Sequence, residues 1–176
     1  PLPIAVPAFH DPATLGLGDQ IAGVIASDLE RSGLFKPANP AAFLQTVESL
    51  ARGPRFGDWR LIDAQLLLVG KVSPAGAGRF RSEFRLYDTL SEGQMIALAF
   101  TSENSNWRRV AHLIADRVYS RVLGEEGYFD SRIVYVSESG NQANPQKRLA
   151  IMDQDGYNHR FLTDGASIVL TPRFSP

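Results

Sequence analysis

Helical spacing of apolar residues ends near residue 124 of this chain, and that limit narrows the possible folds. Before it, Leu17, Ile21, Val24, Ile25 and Leu29 recur at three and four residues, as do Val110, Ile114, Val118 and Val122 with Leu113 beside them. Each set draws one apolar stripe along a helix, because residues three or four apart share a helical face. After residue 124 helical spacing does not return. Short strand signals follow instead: Ile133 to Val136, Leu149 to Met152, Arg160 to Leu162 and Ile168 to Leu170. Gly124-Glu125-Glu126-Gly127 lies between the two regimes and has the polar, flexible make-up of a domain boundary.

Residues 3–9 read as a short strand whose prolines suit a strand end or a sheet edge. Gly33 is placed to end the first helix in a left-handed cap. Asn39 followed by Pro40 reads as the cap and first position of a second helix carrying Phe43, Leu44, Val47 and Leu50, stopped by Gly53-Pro54. Gln65 to Val72 reads as a buried strand. From Arg79 to Tyr87, the side chains of Phe80, Phe84 and Leu86 face one side and those of Arg79, Arg81, Glu83 and Arg85 the other. Gln94 to Phe100 repeats this alternation with Ile96, Leu98 and Phe100. Ser91-Glu92-Gly93 supplies the turn, so the three strands form an antiparallel meander. Asn106 is placed to cap the last helix and Gly124 to end it.

The order β-α-(α)-β-β-β-α specifies a mixed α/β (α+β) domain over residues 1–124, a mixed sheet with two or three helices, followed by a linker at 125–130. Residues 131–176 read as an all-β segment, the first blade of a truncated β-propeller, since four short strands in about 40–45 residues make one blade. A lone blade cannot cover both faces of its sheet, so the chain is expected to continue beyond Pro176.

Composition removes several function classes. Eighteen Lys and Arg against nineteen Asp and Glu leave a formal charge of −1, so no global field draws nucleic acid or anionic lipid. With no cysteine, thiol catalysis and thiolate metal sites are excluded. No apolar run approaches the ~20 residues of a membrane helix.

The candidate chemical motifs each have a plainer structural reading. Gly16-Leu17-Gly18 lies where a dinucleotide fingerprint would cradle a pyrophosphate, but Ile21 replaces the third glycine and loop punctuation accounts for the pair. Asp153-Gln154-Asp155-Gly156 resembles the start of a calcium loop without its twelfth-position Glu, and a hairpin turn needs the same residues. His10, His112 and His159 stand in no ligand spacing, and neither a G-x-S-x-G elbow nor a P-loop occurs. Arg79, Arg81 and Arg85 suit phosphates or a carboxylate-rich partner, or form the solvated face of a half-exposed sheet interrupted by Glu83. Trp59 and Trp107 read as packing anchors. No catalytic, cofactor-binding or metal-binding residue is therefore assigned, and no partner-binding surface within residues 1–176.

Several segments carry a family likeness in their order: Ile25-Ala26-Ser27-Asp28-Leu29-Glu30-Arg31-Ser32-Gly33-Leu34-Phe35, Trp59 with Asp63, and Val69-Gly70-Lys71-Val72-Ser73-Pro74. Arg132-Ile133-Val134-Tyr135-Val136, Asp153-Gln154-Asp155-Gly156-Tyr157-Asn158 and Pro172-Arg173-Phe174-Ser175-Pro176 continue it. Together they resemble the TolB family of the Tol–Pal cell-envelope system of Gram-negative bacteria. The resemblance implies a non-enzymatic periplasmic scaffold, without cofactor, nucleic acid or membrane insertion, built from an α/β domain and a six-bladed propeller. It implies Pal docking on the propeller and TolA binding by a segment at the mature N-terminus, both largely outside this chain. It further implies support of the outer membrane during constriction at cell division, contacts that bacteriocins exploit. The alternative is the N-terminal part of a propeller-gated serine hydrolase or peptidase.

Overall fold

Leu2–Ala5 forms the first strand, β1, and the chain then crosses helix α1, Gly18–Arg31, to a parallel strand β2, Phe35–Pro37. Strands β3 (Leu66–Pro74), β4 (Arg79–Asp88) and β5 (Gln94–Glu103) follow as an antiparallel meander, and helix α4, Trp107–Leu123, completes the layer begun by α1. Between β2 and β3 lie a 3₁₀ turn at Pro40–Ala42 and two one-turn helices, α2 (Val47–Leu50) and α3 (Phe56–Arg60). The five strands make one mixed sheet in the order β2-β1-β3-β4-β5. This computed structural model describes residues 1–141, 144–166 and 171–174, and the chain divides into two units, Pro1–Gly127 and Tyr128–Pro176.

In the first unit α1 buries Ile21, Val24, Ile25 and Leu29, and α4 buries Val110, Ile114, Val118 and Tyr119, so each apolar stripe becomes the inner face of a helix. The two helices pack together against the sheet face carrying Phe80, Phe84 and Leu86, all of them buried. Each such side chain contributes roughly 1.5–3 kcal/mol of transfer free energy. Gly33 and Gly124 end the helices at φ +73° and +76°, left-handed conformations a side chain would strain. Gly70 has a different reason: a Cβ there would fall 2.2 Å from the Phe9 ring that packs over it.

Four expectations are corrected. The first strand is four residues long and lies inside the sheet, not at its edge. Pro3 is tolerated because its carbonyl, and hence its ring nitrogen, faces the β3 side just before that strand begins, where Gln65 N–H donates to Pro3 O at 3.1 Å. The helix expected from Asn39 through Leu50 is broken at Phe43, whose backbone is extended, although Asn39 does cap its first turn by accepting from Ala41 N–H. Buried Gln45 causes the break: its Nε2 donates to Gly53 O at 2.8 Å, and its Oε1 accepts from Arg55 N–H and from Trp59 Nε1 at 3.1 Å. Thr46 then starts α2 afresh by accepting from Ser49 N–H. Helices of four and five residues fall far short of the ~12–15 needed to persist alone, so packing of Leu50, Phe56 and Trp59 on Ala5 and Leu67 holds them. Asn106 makes no side-chain cap; a 3₁₀ turn at Asn104–Asn106 leads into α4. Leu98 is 45% exposed instead of joining Ile96 in the core, because β5 is the outermost strand. Strand β2 and helix α3 had no expectation at all.

The second unit is an antiparallel sheet of β6 (Arg132–Asn141), β7 (Asn144–Asp153) and β8 (Arg160–Phe161) in that order. The strand expected at Ile168 to Leu170 lies outside the described residues. Ala150 and Ile151 of β7 are buried, and the Arg148 guanidinium lies 3.6 Å from the centre of the Phe161 ring.

Candidate interaction surface

Strand register sets three rows of side chains on the outer face of the first unit's sheet, away from α1 and α4. Val69, Arg85 and Ala97 form one row, Lys71, Glu83 and Ala99 the next, and Ser73, Arg81 and Thr101 the third. Helices α2 and α3 cover one end of this face, where Phe56 and Trp59 lie against the cluster holding Leu67, Val69 and Tyr87. The other end is open. There Arg81, Glu83 and Arg85, with the small Ala97 and Ala99, line a shallow depression of about 430 Å³. A smaller one of about 80 Å³ lies alongside, between His10, Lys71, Glu83 and Arg85. Arg81 Nε stands 3.3 Å from Glu83 Oε1, an exposed pair worth about 0–1 kcal/mol. Among the described residues no carboxylate pairs with Lys71, Arg79 or Arg85, so the strip keeps a positive balance facing solvent.

The remaining residues singled out in the sequence do structural work. Asp11 braces the loop that leads into α1, its carboxylate accepting from Leu15 N–H at 2.9 Å and Leu17 N–H at 3.2 Å. Gly16 is needed for φ +73°, and Gly18 because a Cβ would fall 2.2 Å from the Phe9 carbonyl oxygen. In the second unit Asp153 accepts from Gly156 N–H through its carbonyl and from Asn158 through its carboxylate, while Asp155 accepts from Tyr157 N–H, closing a tight turn around Gly156 at φ +87°. His159 packs edge-on to Phe161. Trp59 is buried, whereas Trp107 is half-buried with the Arg108 guanidinium 5.7 Å from its ring.

Two polar groupings escaped the sequence reading. Asp28 of α1 is fully buried, accepts from Arg31, and has His112 Nδ1 of α4 2.6 Å from its Oδ2, a polar staple between the two helices. At the β4–β5 turn, Asp88 accepts from Ser91 and Leu90 N–H at 2.9 and 2.8 Å. Those bonds, Ser91's foremost, hold its carboxyl below the ordinary value.

The family model for the TolB amino-terminal domain matches residues 1–95, and that for the TolB beta propeller domain matches residues 119–176. The chain belongs to the TolB family. The Tol-Pal system protein TolB of Paramagnetospirillum magneticum is 53% identical over 178 residues, a match that takes in 100% of this chain and 40% of that protein. This chain thus spans about 40% of the length of that curated relative. The crystal structure of TolB from Acinetobacter baumannii superposes with a TM-score of 0.75 at 23% identity, over 91% of this chain and 38% of that one, and shows the shared fold. The hypothetical protein CT253 from Chlamydia trachomatis shares fold at a TM-score of 0.55 and 12% identity, over 71% of this chain and 100% of that one. The mixed sheet with its helices and the separate antiparallel sheet are accordingly a TolB-type α/β domain and propeller strands.

Proposed function

We propose that this chain belongs to a non-enzymatic, periplasmic component of the Tol–Pal envelope system that binds Pal and TolA and supports outer-membrane integrity and constriction at cell division. The observation that carries this reading is the 53% identity, along the whole chain, to a protein named for the Tol–Pal system. Residues 1–124 would be its amino-terminal domain, 125–130 the linker and 131–176 the first propeller blade. The work done by the polar residues supports a binding role: Asp28, His112, Gln45, Asp11 and Asp153 hold helices and turns in place. The test is calorimetric titration of the protein, at its full genomic length, with the periplasmic domains of Pal and TolA. Saturable binding of both is expected; binding of neither overturns the reading.

A further inference from the structure

The open end of the outer sheet face is bordered by an unguarded strand edge. β5 pairs with β4 on one side and, among the described residues, with no strand on the other. Natural edge strands are usually protected by Lys, Pro or a bulge. From Gln94 to Ser102 this strand has no charge and no proline. Its irregularity lies at one end, near Met95, whose carbonyl accepts from Arg121 Nε at 3.0 Å. Among the described residues no strand pairs with the outward backbone groups between Ile96 and Thr101, which leaves them to a further strand.

The two faces of β5 specify what that strand would carry. On the outer face Ala97, Ala99 and Thr101 stand beside Arg85, Glu83 and Arg81, with Lys71 in the Glu83 row and Arg79 opposite Glu103. Four cations thus face two carboxylates. A strand added at β5 would lie two strand spacings from β4, roughly 10 Å away. Arginine and glutamate side chains together span that gap only where nothing tall intervenes, which is what Ala97 and Ala99 provide. On the inner face Leu98 is 45% exposed, and half-buried Phe100 stacks on Phe84 at 5.8 Å between ring centres. A neighbouring strand would cover them with apolar residues.

We propose that β5 is the docking edge for an extended partner segment in which acidic and apolar residues alternate, added as an antiparallel or parallel strand with its carboxylates on Arg81 and Arg85. This surface lies wholly in the first unit and does not depend on the Pal and TolA reading. The probe is a short capped peptide alternating glutamate with valine, titrated by fluorescence anisotropy against the 176-residue chain. Saturable binding is expected, with a loss of about tenfold or more in Arg81→Glu/Arg85→Glu and for the lysine-for-glutamate peptide. Leu98→Lys, which keeps every cation of the strip, is expected to weaken binding comparably by guarding the edge. Hydrogen exchange is expected to show new protection at Ile96 to Thr101. Absence of saturable binding, equal affinity for the basic peptide, unchanged affinity in either variant, or protection gained only elsewhere would each overturn the proposal; the last would mark loose adhesion to a solvated charged face.

Discussion

The two sheets of this chain differ in what covers them, and the difference separates strand formation from core formation. In the first unit the inner face is closed by α1 and α4, and one end of the outer face by α2 and α3, so Leu67, Leu68, Phe80 and Leu86 are fully buried. In the second unit β6 and β7 pair over ten residues each, a longer ladder than any in the first unit's parallel half. Yet Ile133, Phe161 and Leu162 remain 41%, 42% and 45% exposed. Alternation and backbone pairing suffice to draw a sheet. A core needs a second layer of secondary structure over it.

The comparison breaks most readily by truncating one apolar side chain in each sheet. Phe84→Ala should destabilise the first unit by about 3–5 kcal/mol, the range for deleting a buried aromatic ring. Ile133→Ala should cost about 1 kcal/mol or less, since an exposed side chain leaves no cavity. Site-resolved hydrogen exchange at β4 and β6 measures both. Equal costs would show that β6 is as closely covered as β4. Next in size is Gly70→Ala, whose new methyl group meets the Phe9 ring. Overpacking of this kind costs about 1–3 kcal/mol, and Gly70→Ala/Phe9→Leu should recover part of it in denaturant unfolding.

What was legible in the sequence follows the same division. The helices α1 and α4 and the meander could be read because burial there obeys one period, so Ile21 or Phe84 announces its own face. β2 could not: Phe35-Lys36-Pro37 is too short for any period and exists because β1 pairs with it. The stretch from Asn39 to Leu50 misled because its apolar spacing is helical while its organising residue is the polar Gln45, buried for its hydrogen bonds. Of the candidate surface, Arg79, Arg81 and Arg85 were visible as an alternating strip. Lys71 and the hollow over Ala97 and Ala99 join it only through register. Asp28 and His112, 84 residues apart, carried no spacing signal at all.

A smaller effect tests how the second unit is held. Arg148→Ala removes the guanidinium from the Phe161 ring, a contact worth about 0.5–2 kcal/mol. Faster exchange is expected at Leu162 N–H, which donates to Leu149 O at 2.7 Å beside that ring. Unchanged exchange there would mean that β7–β8 pairing stands on its backbone bonds alone, making the contrast between the units sharper still.

The smallest expected effect lies at an exposed turn of the well-covered unit. The turn after β4 is exposed from Leu90 to Gly93; buried Thr89, donating to Ala64 O, and Arg60, donating to Thr89 O, anchor its start, and hydrogen bonds to the Asp88 carboxylate shape the rest. Because these depress the folded-state value below the ordinary one of about 3.9, the stabilisation is fully present above that value. It is lost as pH falls through the lower, folded-state value. Asp88→Asn has no such dependence at this position, so the difference in Tm between it and the parent should be constant near neutrality and shrink below about pH 4. A difference unchanged down to about pH 2 would show that the turn is held by its Thr89 and Arg60 anchors and by β4–β5 pairing instead.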